Sequence, residues 1–190
     1  MNKTPIRYYG GKQRLANWII SHFPKHSRYI EPFAGGLAVF FKREFDPEIV
    51  EAVNDTNEFV YNFFLQMREN PQELIRLLEN TPYSYTDYYH CMDVVRGRCD
   101  AGQLEKARAF FVCCNSSFAA KIGGGWARTK VSDTYTKRFI KKVNRLNELR
   151  DRMKNVYIEN KDALEVIDTW DHEDALFYSD PSKHLSLIHI

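Results

Sequence analysis

The feature that most constrains this chain is the pairing of short β-type runs with helices across turns that carry glycine or an acid. Arg28-Tyr29-Ile30-Glu31-Pro32-Phe33 reads as a strand, breaks at Ala34-Gly35-Gly36, and resumes as an apolar helical stretch from Leu37 to Phe41. A second run ends in Glu51-Ala52-Val53-Asn54-Asp55. It is followed by a helix over 57–69 with Phe59, Val60, Phe63, Phe64 and Met67 on one side. Two βα units in succession predict a doubly wound α/β sheet. Strands return at Val156-Tyr157-Ile158 and Leu176-Phe177-Tyr178, each with an acid beyond it.

Around this frame the periodicity is helical. A first helix is expected over 11–23, where Leu15, Trp18, Ile19, His22 and Phe23 recur at helical spacing and Pro24 stops it. From Pro71 to about Arg152 helices follow one another without a convincing strand: 71–79 with Pro in its first turn, 83–98, 103–114 and 137–153. Between Asn115 and Thr136 the pattern dissolves into a Ser-, Gly- and Thr-rich loop of about twenty residues, a length that is usually functional or disordered. The expected organisation is an α/β domain over 1–70 and 153–181, with a helical insert over 71–152.

At 190 residues and 44% hydrophobic, the chain has the length for one well-buried core. Its apolar runs fall far short of the roughly 20 residues that span a bilayer, and the N-terminus lacks a secretory h-region. The four cysteines show no even disulfide spacing, so a reducing cytoplasm is expected, and Cys113-Cys114 lacks metal-ligand spacing, so no metal is expected; the chain is also expected to be a monomer. His22, His26 and His90 have no partner pattern. The net charge of +2 hides a segregation. Residues 1–30 carry six Lys or Arg and no acid; Lys121 to Lys154 carries a net +8; Asn155 to Asp180 holds eight acids against one Lys. Either a basic surface faces a polyanion or the cations are simply the solvated faces of helices.

In an open α/β sheet, ligands bind beyond the carboxyl ends of the strands, where glycine lets the backbone approach them. Asp55, Asp162 and Asp180 each follow a strand. A single such acid is most often a helix cap, whereas several at successive strand ends point to a nucleoside-containing cofactor.

These residues resemble the DNA adenine N6 methyltransferases of the D12, Dam-like class. Tyr8-Tyr9-Gly10-Gly11-Lys12 is similar to that family's N-terminal cofactor motif, with Tyr9 standing where the family has a small residue. Glu31-Pro32-Phe33-Ala34-Gly35-Gly36 resembles the turn beneath S-adenosylmethionine, and Asn54-Asp55-Thr56-Asn57 the ribose motif. Asn160-Lys161-Asp162 resembles the acidic motif near the cofactor's adenine, and Ser179-Asp180-Pro181 the start of the catalytic Asp-Pro-Pro-Tyr motif. The resemblance implies a Rossmann-like S-adenosylmethionine-dependent sheet with a target-recognition insert and double-stranded DNA as partner. It implies a methyl group moved to N6 of a flipped adenine, in a restriction–modification, phage or regulatory setting. Tyr8, Lys12, Glu31, Pro32, Phe33, Gly35, Asp55 and Asp162 are then the cofactor residues, and Asp180 and Pro181 the catalytic ones.

The chemistry suits the residue types. A sulfonium asks for π-faces or carboxylates around it, here Tyr8 and Phe33, for which ordinary core packing is the competing use; Lys12 suits its carboxylate. Adenine N6 is a poor nucleophile until an Asp and a backbone carbonyl accept its N–H bonds. Phe118 and Trp126, interleaved with Lys121, Arg128 and Lys130, suit DNA; a flexible surface loop with one buried Trp is the alternative.

After Pro181 the resemblance stops. Ser182 and Lys183 stand where the family has a second Pro and a base-stacking aromatic, and the final Leu-Ser-Leu-Ile-His-Ile is what CTG-TCT-CTT-ATA-CAC-ATC, a transposase sequencing adaptor, would encode. Residues 182–190 are therefore expected to be a non-native tail on a fragment whose C-terminal strands are missing and which does not itself catalyse. Competing readings are a methyltransferase acting on RNA or a protein amide, and a non-catalytic DNA-binding remnant.

Overall fold

The computed structural model describes residues 4–118 and 121–181. Four parallel strands, β1 (Arg28–Glu31), β2 (Val50–Asn54), β3 (Val156–Glu159) and β4 (Ala175–Phe177), form one sheet in the order β3-β2-β1-β4. The order reverses between β1 and β4, a switch point of the kind that opens a ligand crevice above the strand ends. The expected α/β class is the one observed. The expected tail over 182–190 lies outside the described residues.

The helices are α1 (Ala16–Ile20), α2 (Glu58–Glu69), α3 (Pro71–Glu79), α4 (Tyr85–Val95), α5 (Gln103–Ser116), α6 (Thr134–Leu149) and α7 (Ala163–Trp170), with a 3-10 turn over Arg150–Met153. The best-signalled helices match their sequence signals closely. Asn57 caps α2 by accepting from Phe59 N–H at 2.9 Å, and Val60, Phe63, Phe64 and Met67 are its buried face. Pro71 opens α3, where its missing N–H costs nothing.

Two expected helices are corrected. The first reduces to α1, with only turns before it. The stretch Leu37–Phe41 is a series of tight turns instead of a helix, because Gly35 (φ 47°) and Leu37 (φ 51°) both sit in the left-handed region that a right-handed helix cannot include. Late in the chain, α7 is an additional helix that the sequence reading left unassigned.

One apolar core runs from the sheet into the helical segment: Tyr29 and Val53 share a cluster with Phe63 of α2, Phe110 and Phe111 of α5, and Phe139 of α6. Each such buried aromatic contributes on the order of 1.5–3 kcal/mol. The other sheet face is thin, with Ile30, Ala52 and Val166 packed under Trp170 of α7. At the start of β2, buried Glu51 accepts from both Arg43, at 2.6 Å, and Arg152 of the 3-10 turn. Those guanidiniums lie 4.1 Å over Tyr29 and 4.0 Å over Phe40. This network ties the end of the helical segment to the sheet.

Candidate functional site

The C-terminal ends of β1 and β2 are stitched together by side chains. Asn54 donates to the carbonyls of Pro32 (3.0 Å) and Lys161 (3.1 Å) and accepts from Lys161 N–H at 2.8 Å, so one amide joins the segments after β1, β2 and β3. Asn160 adds a bond from its amide to the Asp55 carbonyl at 2.6 Å. The Asp55 carboxylate then accepts from Gly35 N–H at 2.8 Å and from Asn57 N–H at 2.9 Å, which pins the glycine turn to the end of β2. Burial raises its pKa above the ordinary carboxylate value.

Tyr8 packs against this turn. A Cβ at Gly35 or Gly36 would fall 3.0 Å from Tyr8 side-chain atoms, and Gly35 also needs its positive φ, so neither position accommodates a larger residue without displacing the ring. Burial and the neighbouring Asp55 carboxylate push the Tyr8 phenol up, keeping it neutral. Tyr8, Gly35 and Asp55, far apart in sequence, thus form one surface. Pro32 is buried beneath it and Phe33 is half-buried beside it.

Glu31 points inward. It is 1% exposed, accepts from the Tyr29 hydroxyl at 2.5 Å and from Phe40 N–H at 2.8 Å, and burial lifts its pKa to about 8. Its role in this structure is to hold the turns that follow Gly35. Asp162 is exposed and caps α7 through Leu164 N–H at 2.8 Å, the use that a single acid after a strand most often has.

On the next strand end, Asp180 is about a third exposed and receives both its partners from one ammonium: Lys12 Nζ lies 2.6 Å from each carboxylate oxygen and also donates to the Gly10 carbonyl at 3.1 Å. Two residues assigned separate roles from the sequence therefore meet each other. Pro181 follows, exposed. Tyr178 anchors this strand end by its N–H to Ile30 O at 2.8 Å, and burial with the nearby Asp180 and Glu31 carboxylates raises its phenol pKa.

The Ser- and Gly-rich segment is more ordered than its composition suggests. Ser117 and Trp126 form an antiparallel bridge, with Phe118 N–H bonded to Gly125 O at 2.8 Å and Ala127 N–H to Ser116 O at 2.8 Å. The Tyr83 and Tyr88 hydroxyls, each at 2.5 Å, hold the Ala127 and Gly124 carbonyls from the side of α4. Phe118, Lys121, Arg128 and Lys130 are exposed. Trp126 is half-buried, packed at 5.5 Å from the Tyr83 ring with its indole N–H buried.

Among the described residues no group of three or more His, Cys, Asp or Glu is placed to hold a metal ion. Burial raises the thiol pKa of Cys91, Cys113 and Cys114. Among the described residues no helix is long and apolar enough to cross a membrane. The sequence reading named Asn54 only as a motif letter and did not single out Asn115, which accepts from Arg7 N–H at 3.2 Å and donates to the Pro5 carbonyl at 3.3 Å. A buried amide at the end of an otherwise apolar strand or helix was the available signal for both.

Comparison with known proteins bears on this geometry. A Type II methyltransferase of Lactococcus lactis subsp. cremoris, M1.LlaDCHI, is 40% identical to the chain over 82 residues, which is 42% of the chain and 28% of that relative's length. The match to a family is much longer and takes in every strand end described above. Over residues 8–183 the chain matches, and belongs to, the D12 class N6 adenine-specific DNA methyltransferase family.

Proposed function

We propose that the chain carries the cofactor surface and DNA-recognising insert of an enzyme that moves a methyl group from S-adenosylmethionine to N6 of a flipped adenine in duplex DNA. The observation that carries this reading is the convergence of Tyr8, Gly35 and Asp55 on one surface, with Asp180 on the adjoining strand end. The residues fit the cofactor. Each Asp55 oxygen has one bond from the backbone and a lone pair left for a ribose hydroxyl. The Tyr8 ring offers a π-face, and the glycine turn allows close approach. S-adenosylmethionine, when bound, supplies an electrophilic methyl group on a cationic sulfonium.

The chain's own contribution is orientation. Asp180 and the Pro181 carbonyl accept the N–H bonds of the target amine and free its lone pair, and Lys12 fixes the Asp180 carboxylate for that contact. In this reading residues 1–70 and 153–181 serve the cofactor and catalysis. Residues 71–152 serve DNA, with Phe118, Lys121, Arg128 and Lys130 facing it. Ser182 and Lys183 supply no aromatic to stack on the flipped base, so the chain as written binds both partners and does not turn over.

Labelled S-adenosylmethionine incubated with the chain and, separately, with duplex DNA, RNA and protein tests this. Binding of cofactor and duplex without methyl transfer is expected. Turnover on DNA would overturn the inactivity, and transfer to RNA or protein alone would overturn the acceptor.

A further inference from the structure

Two parts of the molecule that the proposed function keeps separate meet at one buried amide. The segment before Tyr8 runs from Thr4 to Arg7 outside any helix or strand, so no regular ladder fixes its backbone. Side chains hold it instead. Thr4 receives Lys142 on its carbonyl and Gln13 on its hydroxyl, and Asn115, near the end of α5, holds the part next to Tyr8. The Asn115 Oδ1 accepts from Arg7 N–H at 3.2 Å and its Nδ2 donates to the Pro5 carbonyl at 3.3 Å, 108 and 110 residues away in the chain. The same Nδ2 donates to the Phe111 carbonyl, one helical turn back, at 3.1 Å. With the oxygen and the amide hydrogens all engaged and only 5% of the residue exposed, the side chain is fixed to its helix. Arg7 directly precedes Tyr8, which packs on the glycine turn of the candidate cofactor surface.

On its other side Asn115 adjoins the hairpin. Ser116 and Ser117 lead from α5 into the antiparallel pairing with Trp126 and Ala127, where Ala127 N–H meets Ser116 O at 2.8 Å. The path from the base of the hairpin to Tyr8 therefore crosses covalent bonds and the single hydrogen bond from Arg7 to Asn115. That base also holds buried polar groups with no hydrogen-bond partner among the described residues: the hydroxyl of Ser117, a residue 0% exposed, and the Trp126 indole N–H. A buried donor left unpaired costs free energy, which brings an alternative arrangement of the base, one that pairs these groups, within reach of a ligand's binding energy.

We propose that Asn115 is a positioning residue that couples the two sites, so that duplex DNA on the hairpin tightens the cofactor surface and a bound cofactor tightens the hairpin. The coupling rests on the reading of S-adenosylmethionine and duplex DNA as the partners, and adds to it that the two bind cooperatively. Its sign follows from ordering. Each ligand fixes one end of the same linkage, Ser116 or Tyr8, and the second to bind finds that linkage already fixed. By reciprocity the gain in affinity is the same in both directions.

The test is titration of the full chain with S-adenosylhomocysteine, which carries no transferable methyl group, with and without a saturating mixed-sequence duplex, and the converse titration with duplex. The parent is expected to gain about fivefold or more in affinity, equally in the two directions. In Asn115→Ala the gain should fall to about one; as a ratio within one variant, it is insensitive to a general loss of affinity. Tyr83→Phe is the control, because it removes the hydroxyl bond to Ala127 and loosens the hairpin without touching Arg7, and it should keep the gain. If it abolishes the gain as fully as Asn115→Ala does, the stability of the hairpin carries the coupling and the proposal is refuted. Amide exchange in the parent covers the case in which Asn115→Ala does not fold: the Arg7 amide should exchange more slowly once duplex is bound without cofactor, and unchanged exchange overturns the link. If both ligands bind the parent with no gain, the coupling is refuted and the function reading stands. If either ligand fails to bind, both readings fall.

Discussion

Replacing Glu31 with Gln is expected to remove a pH dependence of stability that this one carboxyl imposes on the fold. Glu31 is enclosed at the end of β1, with the Tyr29 hydroxyl and Phe40 N–H as partners, and burial raises its pKa from the ordinary 4.5 to about 8. Between those two values the unfolded chain releases the proton while the folded chain retains it. Stability from this group is thus complete below about pH 4.5 and is lost as pH rises through 8. At 1.36 kcal/mol per pH unit the interval sets a ceiling of about 5 kcal/mol, which local water entry and movement of Arg43 would reduce. Gln is isosteric, accepts from the same two donors through its amide oxygen, and does not titrate. Urea unfolding of both proteins at pH 5, 7 and 9 isolates the effect, because the other titrating groups are common to both. The difference between parent and Glu31→Gln should move in favour of the variant by a few kcal/mol from pH 5 to pH 9. A difference that stays constant across that range would refute the buried, protonated Glu31 and with it this account of what holds the turns after Gly35.

Asp55→Ala should weaken S-adenosylmethionine binding by about 1–3 kcal/mol, the scale of a lost charged hydrogen bond, and loosen the glycine turn that it pins; unchanged affinity in a calorimetric titration would take Asp55 out of the site. Glu51→Ala leaves the Arg43 and Arg152 guanidiniums buried without their shared carboxylate and should cost about 3–5 kcal/mol, read as a large fall in melting temperature. By contrast Lys12→Met removes a pair that is one-third exposed on both sides, so stability should change by less than about 1 kcal/mol while Asp180 becomes free to reorient. Trp126→Ala should lower the melting temperature, since its ring is packed between Tyr83 and Tyr85, and should alter site choice more than nonspecific affinity.

What was legible in the sequence depended on how local the cause was. The frame of β1, β2, α2 and α3 follows from apolar periodicity, the Asn57 cap and Pro71, all of which act within a few residues. The residues at the strand ends were readable as a set because the parallel sheet places successive C-terminal ends side by side. Their individual uses were not. Asp162 serves as a cap and Glu31 as an interior acid because of partners that sit within nine residues, and motif letters alone do not distinguish those uses from ligand contact. Leu37 takes a left-handed φ that no side-chain rule announces, and this one residue turns an apparent helix into turns. Long-range pairs were beyond reach. Lys12 meets Asp180 across 168 residues, Arg152 reaches Glu51 across 101, and the Tyr83 hydroxyl that holds Ala127 comes from 44 residues away. Such contacts depend on how segments distant in sequence meet in the fold, which periodicity does not specify.

The central claim is that a methyl-donor nucleotide sits on the surface made by Tyr8, Gly35 and Asp55, next to Asp180. Titrating isotope-labelled chain with S-adenosylmethionine and following backbone amide resonances tests it most directly. The account predicts saturable shifts concentrated at Tyr8, Gly35, Gly36, Asp55 and Asn57, extending to Asp180 and Asp162, with the amides of α3 and α4 unmoved. Saturable shifts elsewhere in the fold, or none at any concentration, would contradict it.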